Sequence, residues 1–204
     1  MKKFNNPKTE LIGWQMTIMG DMPQHITHLF NALETSSILV SELYPSLADV
    51  TPSLITLPPG LMRITPTFVA CISIIAAAAL IRLACYRALK HMFTFELSIK
   101  KDHRLITNGP YAFVRHPSYT AIIAHKVASL MIQLGPGSWW YESGYWGSPL
   151  GISLALAWIA LRWKVILFFF DRVGKEDQVL REEFGKEWEE WRKRTPYKLV
   201  PLVW

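Results

Sequence analysis

A largely apolar run from Thr67 to Leu89, TFVACISIIAAAALIRLACYRAL, constrains this chain more than any other part of its sequence. A helix of about 20 apolar residues crosses the ~30 Å hydrocarbon core of a bilayer, and this run has that length. Arg82 and Arg87 lie near its end, where long side chains can reach the interface. The run therefore predicts a transmembrane helix.

Two further apolar stretches, residues 119–134 and 148–170, predict a second and a third membrane helix, the second being the shorter. They contain ionisable residues at or near membrane depth: His125, Lys126, Arg162 and Lys164. Such residues either line a polar cavity or extend to the interface, and both interpretations stay open.

Charge is distributed unevenly between the connecting segments. Lysine and arginine are frequent in residues 90–118 and after residue 170, whereas residues 135–147 contain neither and are rich in Trp and Tyr. Because cytosolic loops carry an excess of positive charge, residues 90–118 and the C-terminal region are predicted to be cytosolic. The net charge is +6, but the basic residues that produce it flank apolar stretches. The charge therefore does not indicate a nucleic-acid partner. The predicted partner is the lipid bilayer.

The N-terminal third is less informative. Residues 26–47 alternate apolar and polar side chains, which suits an amphipathic or weakly membrane-associated helix, and the prolines of residues 51–66 predict a linker. The first residues lack the apolar core of a secretory signal. We expect residues 1–65 to form an N-terminal segment of open role that could associate with the membrane, and residues 66–204 to form the membrane domain.

The C-terminal region predicts a charged helix over residues 176–194. Its large apolar side chains recur at helical spacing and share one face: Leu180, Phe184, Trp188 and Trp191. Gly185 weakens the helix, and Pro196 ends it. The predicted fold class is an all-α integral membrane protein, with about three transmembrane helices and a C-terminal amphipathic helix on the cytosolic side.

Two local patterns could carry chemistry. In residues 103–119, HRLITNGPYAFVRHPSY, Arg115 and His116 precede a proline that suits the first turn of a helix. The free N–H groups and dipole of such a terminus attract anions, although the turn could equally serve only as an anchor. Arg172 and Glu176 are four residues apart on one helical face, as a surface ion pair or a ligand-binding pair. Dinucleotide, P-loop and metal-ligand spacings are missing, so no metal is expected.

Together, GPYAFVRHPSY and DRVGKEDQVLREEFGKEWEEW resemble the isoprenylcysteine carboxyl methyltransferase family, over roughly residues 90–204. The resemblance implies methyl transfer from S-adenosylmethionine to the C-terminal carboxylate of prenylated proteins. It also implies an endoplasmic reticulum membrane and a site that faces the cytosol. The reaction needs no general base, because the carboxylate is ionised at neutral pH.

The resemblance also implies roles for particular residues. It assigns contacts with S-adenosylmethionine to His103, Arg104, Leu105, Ile106, Tyr111, His116, Pro117, Ser118, Tyr119 and Glu176. It associates Arg172 with the prenylated substrate and its carboxylate, and we expect Arg115 to support the site electrostatically; these two arginines are the expected catalytic residues. The chain departs from the family pattern at Ala121, often Gly, and at Glu176-Asp177, often Glu-Glu.

Two other functions stay open. The chain could methylate phospholipid amines or another lipid, since related membrane methyltransferases share the cofactor-binding half. It could also be a non-catalytic membrane protein that serves interaction or lipid binding.

Overall fold

The computed structural model describes residues 25, 27–29, 31–40, 43, 63–92 and 104–203, with the backbone alone at residue 91. These residues form helices and connecting turns, without a β-strand. Residues 31–40 are helical. The later helices are α1 (Pro66–Leu89), α2 (Pro117–Leu134), α3 (Trp139–Glu142), α4 (Pro149–Phe184) and α5 (Lys186–Arg194). Short 3₁₀ turns occur at Lys90–Met92, Gly109–Ala112 and Tyr145–Gly147.

Two of the described helices, α1 and α4, are long and apolar enough to cross a membrane by length and composition. Large apolar side chains of α1 remain exposed, for example Val69 at 52% and Leu80 at 67%. Contiguous apolar exposure of this kind marks a lipid-facing surface in a membrane protein. For the residues that the structure describes, the predicted helical fold is therefore confirmed, with two helices apolar enough to span a membrane. The helix at residues 119–134 is present as α2 but is less apolar, so a third span stays a prediction.

The C-terminal half of α4 differs from the prediction. The helix does not end at Phe170 with the apolar stretch but continues to Phe184, so Arg172 and Glu176 lie on the same helix as the third predicted span. At Gly185 the backbone has a φ of 50°, a left-handed value that glycine tolerates, and α5 begins at the next residue. The helix predicted over residues 176–194 is therefore two helices. Trp188 and Trp191 of its apolar face are buried within the protein.

The chain divides into two compact units. The first comprises residues 1–18, 76–125 and 165–204, and the second comprises residues 19–75 and 126–164. The predicted boundary at residue 66 is a different division and stays a prediction. In the second unit, the aromatic segment between α2 and α4 packs inward. Its core consists of Leu134, Trp139, Trp140, Ala155 and Trp158.

Gly151, in the first turn of α4, allows close packing in the second unit. A Cβ atom there would lie 2.1 Å from the Tyr145 carbonyl oxygen, too close for the backbone to accommodate without shifting. We expect Gly151→Ala to destabilise the protein by about 1–3 kcal/mol, the usual cost of overpacking. Thermal unfolding of the purified protein in detergent measures this loss. Gly147→Ala is the matched control, since a Cβ atom there would meet no atom within 4 Å. Equal melting temperatures for the two variants would contradict the expectation.

Candidate active site

In the first unit, the motif turn is bound to the C-terminal tail, which we define as residues 195–203. The backbone N–H of Arg115 donates to the carbonyl oxygen of Tyr197, and that of His116 donates to Lys198, both at 2.9 Å. The Thr120 hydroxyl donates to the Leu199 carbonyl oxygen at 2.7 Å. The amides of Arg115 and His116, which precede α2, are thus paired with the tail. Attraction of an anion by the first turn of α2 itself stays a prediction.

The Arg115 guanidinium is buried and uses all three of its nitrogens. Nε and Nη2 bind the two carboxylate oxygens of Asp177, at 3.3 and 3.0 Å. Nη1 donates to the carbonyl oxygens of Thr195 and Pro196, at 3.0 and 2.7 Å. The guanidinium carbon also lies 5.8 Å from the Trp188 ring centre, within range of a cation–π contact. Arg115 therefore connects α4 and the tail to the motif turn. Its expected catalytic role stays a prediction.

His116 shares the same carboxylate. Its Nε2 lies 2.9 Å from Asp177 Oδ1, and its Nδ1 lies 3.9 Å from Glu176 Oε1. A carboxylate at Nε2 fixes the ring orientation and favours a proton on that nitrogen. Asp177 was missed as a site residue: the sequence showed it only as a departure from the Glu-Glu pattern. Its position next to Glu176 was the available signal, and its carboxylate pairs with both Arg115 and His116.

Tyr119 joins the two sequence motifs. Its hydroxyl donates to Glu176 Oε2 and accepts from Arg172 Nε, each at 2.6 Å. Its ring is stacked on the His116 ring, with centroids 5.7 Å apart. Arg172 Nε itself lies 4.0 Å from Glu176 Oε2. The structure thus brings together the residues predicted from separate motifs. The Glu176 side chain is 30% exposed, whereas that of Arg172 is 4% exposed, so Glu176 is the accessible charge of the pair.

Tyr111 and residues 104–106 lie in the same unit. The Tyr111 carbonyl oxygen accepts from Trp191 Nε1 at 3.1 Å. Burial, and to a lesser extent the nearby Cys85 thiol, raises the pKa of the Tyr111 phenol, which therefore stays neutral at physiological pH. The Arg104 amide donates to the sulfur of Met92. Leu105 and Ile106 are half-buried, and their peptide groups form no hydrogen bond with any residue that the structure describes.

Pro117 is buried and Ser118 is half-buried in the first turn of α2, next to His116. His103 lies outside the described residues.

Comparison with known proteins finds a family resemblance over part of the chain. The model of the isoprenylcysteine carboxyl methyltransferase family matches residues 69–139. A protein-S-isoprenylcysteine O-methyltransferase of Schizosaccharomyces pombe is 35% identical over 103 residues, which cover 50% of this chain and 35% of that protein. Protein-S-isoprenylcysteine O-methyltransferase B of Arabidopsis thaliana is 28% identical over 113 residues, which cover 54% and 47%.

A third relative carries a different name. A delta(14)-sterol reductase of Mus musculus is 26% identical over 101 residues, which cover 50% of this chain and 20% of that protein. The chain thus matches half or less of the length of each of these three relatives. The matched region includes the complete GPYAFVRHPSY motif, so the resemblance seen in the sequence is confirmed. Residues 69–139 of the chain are thus similar to the isoprenylcysteine carboxyl methyltransferase family.

Proposed function

We propose that this protein transfers a methyl group from S-adenosylmethionine to the C-terminal carboxylate of prenylated cysteine, as a protein-S-isoprenylcysteine O-methyltransferase. The observation that carries the proposal is the hydroxyl of Tyr119, which holds Arg172 and Glu176 side by side next to the family motif. A fixed cation and an accessible carboxylate suit two ligands of opposite charge. The family match supports the same reaction.

The residues present fit S-adenosylmethionine. The peptide groups of Leu105 and Ile106 have no hydrogen-bond partner in the described part of the chain, and they suit the edge of an adenine base because half-buried backbone groups need hydrogen bonds. The exposed part of Glu176 suits ribose hydroxyls or a cationic group. When bound, S-adenosylmethionine supplies an electrophilic methyl group on a sulfonium. We assign its binding to His103, Arg104, Leu105, Ile106, Tyr111, His116, Pro117, Ser118, Tyr119 and Glu176.

Arg172 is proposed to bind the substrate carboxylate and to orient the oxygen that accepts the methyl group. Holding reactants in line can lower a barrier by several kcal/mol, and no residue has to remove a proton. Burial of the guanidinium excludes water from the carboxylate, which strengthens the attraction between them. We assign Arg115 a supporting electrostatic role, since its charge is neutralised largely by Asp177.

A membrane location follows from the proposed substrate. A prenyl chain partitions into lipid at about 0.8 kcal/mol per buried CH₂. In α4, Arg172 and Glu176 follow the apolar stretch within two turns, so this helix links lipid depth to the charged site. We propose that the site faces the cytosol, in agreement with the basic loops, and that the endoplasmic reticulum hosts the protein.

Tyr119→Phe tests this function. Membranes that contain the protein are given labelled S-adenosylmethionine and N-acetyl-S-farnesylcysteine, and base-labile methyl ester is counted. We expect the wild type to form the ester and the variant to show a kcat/KM about 10–100-fold lower, because hydrogen bonds to two charged groups are lost. Tyr141→Phe is the matched control, since Tyr141 is exposed in the second unit.

The same assay separates the alternatives. Label in phospholipid head groups, and none in the farnesylcysteine, would favour a lipid methyltransferase. A wild-type protein that binds no S-adenosylmethionine would be a non-catalytic membrane protein.

A further inference from the structure

Arg162, in the apolar part of α4, is a buried cation in the second unit and is 1% exposed. Its Nη2 donates to Thr27 Oγ1 at 2.6 Å and to Gln133 Oε1 at 3.3 Å. Its guanidinium carbon lies 4.3 Å from the centre of the Trp158 ring. Among the described residues, no carboxylate forms an ion pair with it. The described groups that contact the guanidinium, from Thr27, Gln133 and Trp158, are all neutral.

Hydrogen-bond donors outnumber acceptors around this guanidinium. Gln133 Oε1 already accepts from Trp158 Nε1 at 3.1 Å as well as from Arg162, which fixes the orientation of the amide. Gln133 Nε2 and Arg162 Nε are both buried, and neither has an acceptor among the residues that the structure describes. Buried donors in native proteins nearly always have partners, so two orphan donors in one cluster indicate a missing acceptor.

The missing acceptor should also carry negative charge. Burying an uncompensated cation is costly, and ionisable residues at membrane depth therefore mark functional sites by default. Arg162 lies eight residues before Phe170, where the apolar stretch of α4 ends. It is therefore about 12 Å from that end along the helix axis. A water molecule could accept hydrogen bonds but would leave the charge uncompensated. An oxyanion would satisfy both requirements, since a carboxylate or phosphate accepts several hydrogen bonds from an arginine.

We propose that Arg162 and Gln133 form an anion-binding site, distinct from the methyl-transfer site, that takes the carboxylate or phosphate group of a lipid or of a free anion. Trp158 supports the guanidinium through its ring, and Gln133 adds an amide donor. The proposal does not depend on the methyl-transfer reaction.

The test uses the purified full chain in a neutral detergent. Sodium oleate, phosphatidic acid and inorganic phosphate are each titrated, with phosphatidylcholine as a zwitterionic control. Binding is followed by native mass spectrometry and by the melting temperature. We expect at least one of the three anions to bind and to raise the melting temperature, whereas phosphatidylcholine does not. Binding of inorganic phosphate would identify a free anion as the source, and binding of the lipids alone would identify a lipid.

Variants decide which residue holds the anion. Arg162→Met is expected to weaken binding at least about tenfold, because the charge and its donors are lost. Lys164→Gln removes a positive charge from the same helix at an exposed position and should leave binding unchanged. If Arg162→Met fails to fold, Gln133→Leu decides, since it keeps the cation and removes only the orphan amide donor; it should also weaken binding. Equal affinity in the folded variant and the wild type, or no anion bound by the wild type, would overturn the proposal.

Discussion

Replacement of Arg172 by alanine is expected to lower kcat/KM for a farnesylcysteine substrate by about 10²–10³-fold, the range found when a fixed electrostatic donor is removed from an active site. Arg172 is buried, and its Nε is held by the Tyr119 hydroxyl. A water molecule entering the alanine variant would replace neither the positive charge of the guanidinium nor the direction of its hydrogen bonds. The measurement is the methyl-ester assay over a range of substrate concentrations.

Two further variants show whether the loss of activity is specific to the guanidinium of Arg172. Arg172→Lys keeps the charge but cannot reproduce the planar guanidinium, so we expect it to recover only a small part of the activity. Lys175→Ala removes an exposed cation one turn away, whose partner is Asp171, and should retain activity. S-adenosylmethionine binding, measured in parallel, should survive in Arg172→Ala. Unchanged turnover in that variant would remove Arg172 from the substrate site.

Asp177→Ala is expected to lower the free energy of unfolding by about 3–5 kcal/mol, the cost of breaking a buried ion pair from one side. The Asp177 and Arg115 side chains are 10% and 3% exposed, so neither is well screened by water. Without the carboxylate, the Arg115 guanidinium stays buried with only carbonyl partners, and His116 loses the acceptor at Nε2.

Equilibrium unfolding in detergent measures this loss, with Asp171→Ala as the matched control. Asp171 also pairs with a cation on α4, but its side chain is 60% exposed. Exposed pairs contribute about 0–1 kcal/mol, so the control should unfold nearly as the wild type does. Asp177→Asn keeps a hydrogen-bond acceptor but removes the charge, so its free energy of unfolding should lie between those of Asp177→Ala and Asp171→Ala. A similar small loss in Asp177→Ala and Asp171→Ala would show that the buried network contributes little.

Helix starts were predictable because prolines and apolar runs mark them. The predicted spans at Thr67 and Ser148 each begin within one residue of helices that start at Pro66 and Pro149. The end of α4 was not predictable from hydropathy, because an apolar run marks the depth of a bilayer and not the limit of a helix. Its continuation to Phe184 is carried by charged residues that are good helix formers.

The sequence pointed to several residues that the structure brings together, but not to the contacts between them. Helical spacing alone places Arg172 near Glu176, and the structure adds Tyr119 between them. The role of Asp177 could not be derived, since its partners lie about 60 positions earlier in the sequence. Contacts of such range depend on how helices pack, which no local pattern records.

The tail binds the motif mainly through backbone carbonyl oxygens, which every residue possesses, with one side-chain contact from the Thr195 hydroxyl to the Ala112 carbonyl oxygen. Arg115, His116 and Thr120 recognise carbonyl oxygens of residues 195–199, so substitutions in the tail can preserve these contacts as long as the chain keeps its path. Sequence divergence there would consequently understate its importance. The family match ends at residue 139, well before this segment. A segment that lies outside the family match can thus be one whose deletion or rerouting the motif would not tolerate.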